Sequence, residues 1–328
     1  MISKTKIEIS NEKIVEIFEN AGINGAGKIE PLGAGEYNAV FSVTAGGKEY
    51  ALKIAPLPNQ PVLTYEKDIM RSEVFWYKTM KEKTDILIPK IYYEDFSRTI
   101  IPCDYFIMEK IDGKTLDKAT LSEEEKKFVK RELPVMLSKL HEIKSEKFGY
   151  IQNELFDDWY TALKSIFQNL VNDCEKSGHK TKRGMRALSL IEKNRTILEN
   201  VKGTMINYDL WEVNVICKRE NGKLKLYWID PERSFYGDPI FDFICLDFMK
   251  GFSEKNEVKK AYNAFSKTKI GNGREENIRF AFADLLMGLI QETEKYYRYT
   301  PKNFGWWRNV FSSAFVYKRG FRVLENER

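Results

Sequence analysis

Asn207-Tyr208-Asp209-Leu210-Trp211-Glu212-Val213-Asn214, followed sixteen residues later by Ile229-Asp230, is the stretch on which this 328-residue chain turns. It lies between apolar, strand-like pieces. Asn221-Gly222, between Val213–Cys217 and Leu224–Ile229, predicts a tight hairpin that folds Asp230 back towards Asn214. Asp209 and Asn214 have the D-x-x-x-x-N spacing of a loop that transfers phosphoryl groups. The chemistry asks for these residue types. A hydroxyl acceptor needs a carboxylate to orient it and take its proton, and a Mg²⁺ ion needs hard oxygen ligands such as an amide oxygen and a second carboxylate. Ordinary turn formers at strand ends would also place Asp and Asn here. The trio in this order, followed by Gly237-Asp238-Pro239, favours the chemical reading.

Working towards the N-terminus, Gly33-Ala34-Gly35-Glu36-Tyr37-Asn38 stands just before a second hairpin, Val40–Ala45, Gly46-Gly47 and Lys48–Ile54. Glycines allow a main chain to approach phosphate oxygens closely. The segment opens no helix, so it fits neither a Walker loop nor a dinucleotide fold, and an ordinary turn explains it equally well. In the second strand Tyr50, Leu52 and Ile54 face one way, Ala51 and Lys53 the other. Lys53 is flanked by apolar residues, and Glu73 follows twenty residues later in a helical pattern from Thr64 to Lys83. Such a Lys–Glu pair holds an ammonium ready for a nucleotide phosphate. Taken alone, a solvated lysine and an exposed glutamate are the simpler reading.

The remaining pattern divides the chain. A first helix begins at Ser10 or Asn11, with Ile14, Ile17 and Phe18 on one face. Leu87–Tyr93 and Tyr105–Met108 read as strands, and Ile111-Asp112-Gly113-Lys114 marks a turn and an expected boundary. Beyond it helices dominate: one capped by Ser122 and Glu125 running to His141, with Pro134 inside it, then 154–176, 182–200 and most of the C-terminal third. The expected architecture is α+β and bilobal: a β-rich N-terminal nucleotide-binding lobe, 1–110, and a larger, mainly helical C-terminal catalytic and substrate-binding lobe, 111–328.

Composition excludes several classes. Hydrophobic residues are 43% and charged residues 31%, an ordinary globular balance. No run of about 18 apolar residues exists, so no membrane helix is expected, and the N-terminus lacks an apolar signal core, which leads us to expect a cytoplasmic protein. Cys103, Cys174, Cys217 and Cys245 fit no metal or disulfide spacing. With two histidines, a His-rich metal site is impossible. A net charge of +5 is too small and dispersed to point to nucleic acid.

Taken together these motifs resemble the aminoglycoside phosphotransferase and choline kinase group of small-molecule kinases, which share the protein-kinase-like fold. The resemblance runs from about Ile29 to Asp247. Its carriers are Gly33-x-Gly35-x-x-Asn38, Lys53, Glu73, Phe106-Ile107-Met108-Glu109-x-x-x-Gly113, Leu140-His141, Phe148-Gly149-Tyr150, Asp209-x-x-x-x-Asn214, Ile229-Asp230 and Gly237-Asp238-Pro239-x-x-Asp242. It implies that Asp209 is the catalytic base and that Asn214 and Asp230 hold Mg²⁺. Gly33, Gly35, Asn38, Lys53 and Glu73 would serve the phosphates of ATP. The hinge from Glu109 to Ile111 would receive the base through its main chain, which leaves GTP open. Asp242 would brace the catalytic loop. The family usually has His-Gly-Asp where this chain has Asn207-Tyr208-Asp209. Asn207 still donates and accepts hydrogen bonds, whereas Tyr208 is expected to add bulk beside the acceptor. No Asp-Phe-Gly or Ala-Pro-Glu element is present, which argues against a regulated protein kinase.

The expected function is therefore transfer of the ATP γ-phosphate to a small-molecule hydroxyl, with an aminoglycoside-type antibiotic as first choice of acceptor. A metabolic hydroxyl (choline, ethanolamine or a sugar) is the alternative, and a nucleotide-binding pseudokinase the reading from another class. Asp242 to Thr300 holds nine acids and ten bases, which gives no support to a strongly anionic pocket. Tyr208, Trp211 and Asp284 are the candidate acceptor contacts. Asp284 is chosen because an acid among apolar neighbours must be paired, hydrated or facing a cleft. Trp306 and Trp307 could add an aromatic wall, although core packing explains them as well. His141 reads as a packed or capping residue and His179 as an exposed loop residue.

Overall fold

A computed structural model describes residues 7–32 and 37–326. The expectation for Gly33 and Gly35 lies outside them. The first helix forms as predicted: α1 (Asn11–Asn20) is capped by Ser10, which accepts the Lys13 N–H, and buries Ile14, Ile17 and Phe18. An antiparallel sheet follows in the order β1-β2-β3-β5-β4, with β1 (Ala26–Pro31), β2 (Ala39–Ala45), β3 (Lys48–Ile54), β4 (Ile91–Asp95) and β5 (Tyr105–Glu109). Gly46 and Gly47 take φ of 55° and 75°, the left-handed pair a two-residue hairpin turn requires. One sheet face packs Tyr50, Leu52 and Ile54 against α1; Lys53 emerges on the other.

Two elements of the N-terminal part differ from expectation; further on, the helix expected over 182–200 is broken at Asn194 and that expected from 154 begins at Trp159. The segment from Thr64 to Lys83 is not one helix. A short turn, Thr64–Glu66, ends at Lys67 and Asp68, and α2 (Ile69–Lys83) starts afresh. The turn is capped from elsewhere, because Thr64 donates its N–H and hydroxyl to Asp173, and Asp68 has φ 54°. The strand expected at Leu87–Tyr93 begins only at Ile91, because Pro89 has no N–H for a ladder.

The C-terminal part is mainly helical: α3 (Glu123–Leu140), α4 (Trp159–Lys176), α5 (Lys182–Lys193), α6 (Arg195–Glu199), α7 (Asn256–Phe265), α8 (Arg274–Arg298) and α9 (Phe304–Asn326). Between them run the short strands β6 (Lys114–Thr115) and β7 (Lys144–Ser145), then β8 (Gly203–Ile206), β9 (Val215–Glu220), β10 (Lys223–Trp228) and β11 (Phe235–Gly237). The β9–β10 hairpin turns at Asn221-Gly222, as predicted, and returns the chain so that Ile229 donates its N–H to the Asn214 carbonyl at 3.0 Å. The architecture is bilobal and α+β, with Lys53 of β3 and Glu73 of α2 meeting each other, and Lys53 meeting Asp230 just after β10. Among the described residues no helix is long and apolar enough to cross a membrane.

Candidate active site

The loop from Asn207 to Asn214 connects β8 to β9, and one buried carboxylate sets its path. Asp242 accepts the N–H groups of Asn207 at 3.0 Å and Tyr208 at 2.5 Å, and faces His141 Nε2 at 3.0 Å. Asp242 is held there by Gly237-Asp238-Pro239, since Asp238 caps the turn Pro239–Ile244 through the Ile240 N–H. His141, at the C-terminus of α3, is buried and also meets the Tyr262 hydroxyl at 2.9 Å. Asn207 takes the supporting place in the loop: its side-chain oxygen accepts the Asp209 N–H at 3.0 Å and its nitrogen donates to Ser234.

Asp209 sits at the loop's apex, its side chain 15% exposed. The Asn214 amide nitrogen donates to both its carbonyl and its Oδ2, leaving the Asn214 amide oxygen as the group it can offer a cation. Burial pushes the Asp209 carboxyl up from its usual range, Arg233 pulls it down, and the charge of Asp230 pushes it up again.

Across the cleft, Lys53 is buried and its ammonium meets Asp230 Oδ1 at 2.5 Å, Glu73 Oε2 at 2.7 Å and Glu232 Oε2 at 3.4 Å. Burial alone would lower its pKa, but Asp230, Glu73 and Glu232 together hold it well above the ordinary value. Burial, helped by the charge of Asp230, raises Glu73 to about 8 and Glu232 to about 7 against the pull of Lys53. Asp230 takes φ 62° and donates its N–H to the Tyr77 hydroxyl, which turns its carboxylate to the cleft. Asn38 donates to Glu232 at 3.0 Å. Glu73, Asp230 and Glu232 offer oxygens within 4.8 Å of one another, and Glu73 Oε1 and Asn38 Oδ1 are buried without a partner among the described residues. Glu73 and Glu232 are engaged by Lys53, so Asp230 and the Asn214 amide oxygen are the hard oxygens on the cleft best suited to a divalent cation.

A cleft of about 1030 Å³ joins these groups: Asn38, Lys53, Asp209, Trp211, Asn214 and Asp230 all line it. Glu73 stands behind Lys53. Glu109 lies on β5 next to β3, its N–H donating to the Lys90 carbonyl, and Ile111 follows it nearly buried; neither lines this cleft. Two expected acceptor contacts are not in place. Tyr208 is fully buried, turned under the loop onto Phe235 and Phe241 with its hydroxyl on the Ala283 carbonyl, because φ of 60° sends its side chain inward. Asp284 is 1% exposed and spent on a two-pronged ion pair with Arg319. Trp306 and Trp307 do not line the cleft either; α9 presents Arg308 and Asn309 instead. The sequence reading also missed Glu232, Arg233, Glu294 and Arg298. Arg233 bonds Glu294 at 2.7 Å, and Arg298 joins Glu294 and Glu66 beneath Tyr37. An acid two residues past Asp230 and an i, i+4 Glu–Arg pair on α8 were the available signals.

Residues 28–264 match the model of a family described as the phosphotransferase enzyme family. The chain belongs to that family. It is a small-molecule phosphotransferase with an alcohol group as acceptor. The match ends before α8 and α9, which supply Glu294, Arg298, Arg308 and Asn309 to the cleft. Solved structures share the fold. A candidate fructosamine-3-kinase from Haemophilus somnus 129PT has a TM-score of 0.67 at 13% identity, over 94% of this chain and 97% of its own. A candidate aminoglycoside phosphotransferase from Ralstonia eutropha JMP134 gives 0.63 at 12%, over 96% and 99%. APH(2'')-IIa, in a ternary complex with streptomycin and ATP, gives 0.58 at 18%, over 94% and 97%. Among curated proteins none matches.

Proposed function

We propose that this phosphotransferase moves the γ-phosphoryl group of ATP to a hydroxyl of a small molecule. The observation that carries the reading is the convergence of Lys53, Asp230, Asn214 and Asp209, from both lobes, on one cleft. Lys53, steadied by Glu73, binds the α- and β-phosphates. The main chain between Glu109 and Ile111 receives the base. Asn214 and Asp230 would hold Mg²⁺, which when bound neutralises phosphate charge. Asp209 orients the acceptor hydroxyl and accepts its proton; burial raises its pKa, and Arg233 beside it opposes that rise. Trp211 lines the acceptor side.

An aminoglycoside-type antibiotic is our first reading of the acceptor, in line with the family and the APH(2'')-IIa fold. A less cationic metabolic hydroxyl is the second. It is favoured by the cleft lining, whose eight acids are nearly balanced by six bases, among them Arg233, Arg298 and Arg308. Release of ADP across a panel of aminoglycosides, choline, ethanolamine and sugars decides between them. Asp209→Asn should keep Mg-ATP binding and lose transfer by about 10²–10⁴-fold. An unchanged rate would remove Asp209 from this role, and silence across the panel would favour a pseudokinase.

A further inference from the structure

Behind the acceptor side of the cleft, two buried basic side chains grip one short loop. Leu246, Asp247, Phe248 and Lys250 line the same cleft as Asp209. Lys255 is wholly buried, and its amine donates to the carbonyls of Leu246 and, at 2.7 Å, Asp247. Arg319, on α9, donates through Nη1 to the carbonyls of Phe248 at 2.6 Å and Lys250 at 3.0 Å. Its Nε and Nη2 meet Asp284 at 2.8 and 2.6 Å. Four carbonyls within five residues are thus pulled inward, and Asp247 takes φ 50°. The close approach of α9 to α8 is built for this contact. A Cβ on Gly320 would lie 2.8 Å from the Ala281 carbonyl and 3.1 Å from Asp284 Cβ.

This arrangement is not the cheapest way to fill the space. Two basic groups share one buried acid, and burial with the nearby Arg319 pushes Lys255 down to about 7. Apolar side chains of the same volume would avoid that desolvation. What the basic pair supplies and apolar residues would not is a fixed main chain. Phe248 packs edge-on against Trp211, ring centres 5.3 Å apart, two residues from Asp209. The path of the loop therefore decides where the acceptor-side wall stands.

We propose that Lys255 and Arg319 are positioning residues for the acceptor: they hold the main chain of 246–250 from behind, so that Asp247, Phe248 and Lys250 present a preset wall to the hydroxyl-bearing substrate beside Asp209. The proposal rests on the phosphotransferase reading of the cleft.

The test uses the full-length protein with Lys255→Met, Arg319→Met and Arg319→Lys. Amide hydrogen exchange is read over 246–250 against 207–214, Mg-ADP affinity by calorimetry, and kinetics with the acceptor returned by the ADP-release screen and with water as acceptor. In both Met variants exchange over 246–250 should rise about tenfold or more while 207–214 stays put. The acceptor KM should rise about fivefold or more, with kcat, transfer to water and Mg-ADP affinity within about twofold. Arg319→Lys should fall between wild type and Arg319→Met. Unchanged exchange in the loop, or equal losses in Mg-ADP affinity and acceptor KM, would overturn the proposal. Should a Met variant fail to fold, Lys255→Gln, whose neutral amide still donates, is read in the same way. A wild-type protein that does not bind Mg-ADP would sink the reading of the cleft, while the exchange data would still decide whether the loop is anchored.

Discussion

Asn214 gives both hydrogens of its amide nitrogen to Asp209, one to the main-chain carbonyl and one to the carboxylate Oδ2, each at 2.9 Å. One side chain therefore aims the proposed base and, by the same rotation, commits its own oxygen to the cleft. The two roles can be separated by substitution.

Asn214→Asp keeps an oxygen ligand but replaces a donor by a second negative charge against Asp209. We expect near-normal Mg²⁺ dependence of nucleotide binding, with kcat down about 10²-fold or more. Asn214→Ala removes both roles and should raise the Mg²⁺ requirement as well. Titration of ADP release with Mg²⁺ reads both variants. Wild-type kcat in Asn214→Asp would show that the bond to Asp209 is idle.

Asp242 takes two main-chain N–H groups and His141 on one buried carboxylate. Asp242→Asn replaces a charged acceptor by an amide that cannot accept from all three donors. Hydrogen bonds to charged groups are worth about 1.5–3 kcal/mol each in place, and a buried donor left unmet adds its own cost. Melting should fall by several degrees and transfer should drop, because the Asp209 loop loses its brace. His141→Gln, which removes only one of the three, should cost less on both counts. A larger loss in His141→Gln would mean that Tyr262, not Asp242, is the partner that matters.

Tyr208 adopts φ 60° where the family pattern has glycine. Tyr208→Gly would relieve a strain of about 1–3 kcal/mol. It would also remove a fully buried ring that packs on Phe235 and Phe241 and bonds the Ala283 carbonyl. Truncating a large buried aromatic costs about 3–5 kcal/mol, so burial outweighs strain and the variant should be less stable. Chemical denaturation decides the sign. Acceptor KM in the milder Tyr208→Phe should stay unchanged, since the hydroxyl faces away from the cleft.

Sequence carried the parts of this site that follow from local rules. Alternation placed Lys53 opposite Leu52, Asn221-Gly222 closed the hairpin, and the spacing from Asp209 to Asn214 put two polar groups on one loop. The rest depended on facts no local pattern contains. The inward turn of Tyr208 is a matter of one backbone dihedral. Asp284 looked poised for a cleft because its partner, Arg319, is 35 residues away on another helix. Glu294 and Arg298 were missed because only the packing of α8 sets Glu294 beside Arg233 and Arg298 beside Glu66. The break at Asp68 came from Asp173, on α4, capping the turn before it.

Lys255 gives the molecule a pH dependence of predictable sign. In the folded chain burial and Arg319 push its pKa down to about 7, whereas an unfolded lysine titrates near ~10.4. Between these values the unfolded state binds the extra proton, so stability rises with pH across the window. The contribution is complete above the unfolded value and is lost as pH falls through about 7. Lys255→Met carries no such group. The loss of two carbonyl bonds lowers its melting temperature by an amount that does not vary with pH. The difference between wild type and variant should therefore shift in favour of wild type as pH is raised from about 6 to about 9. Melting curves at three pH values in that range test this. A difference independent of pH would show that the amine keeps its proton throughout, held by Asp284, Asp247 and the loop carbonyls against the desolvation of its site.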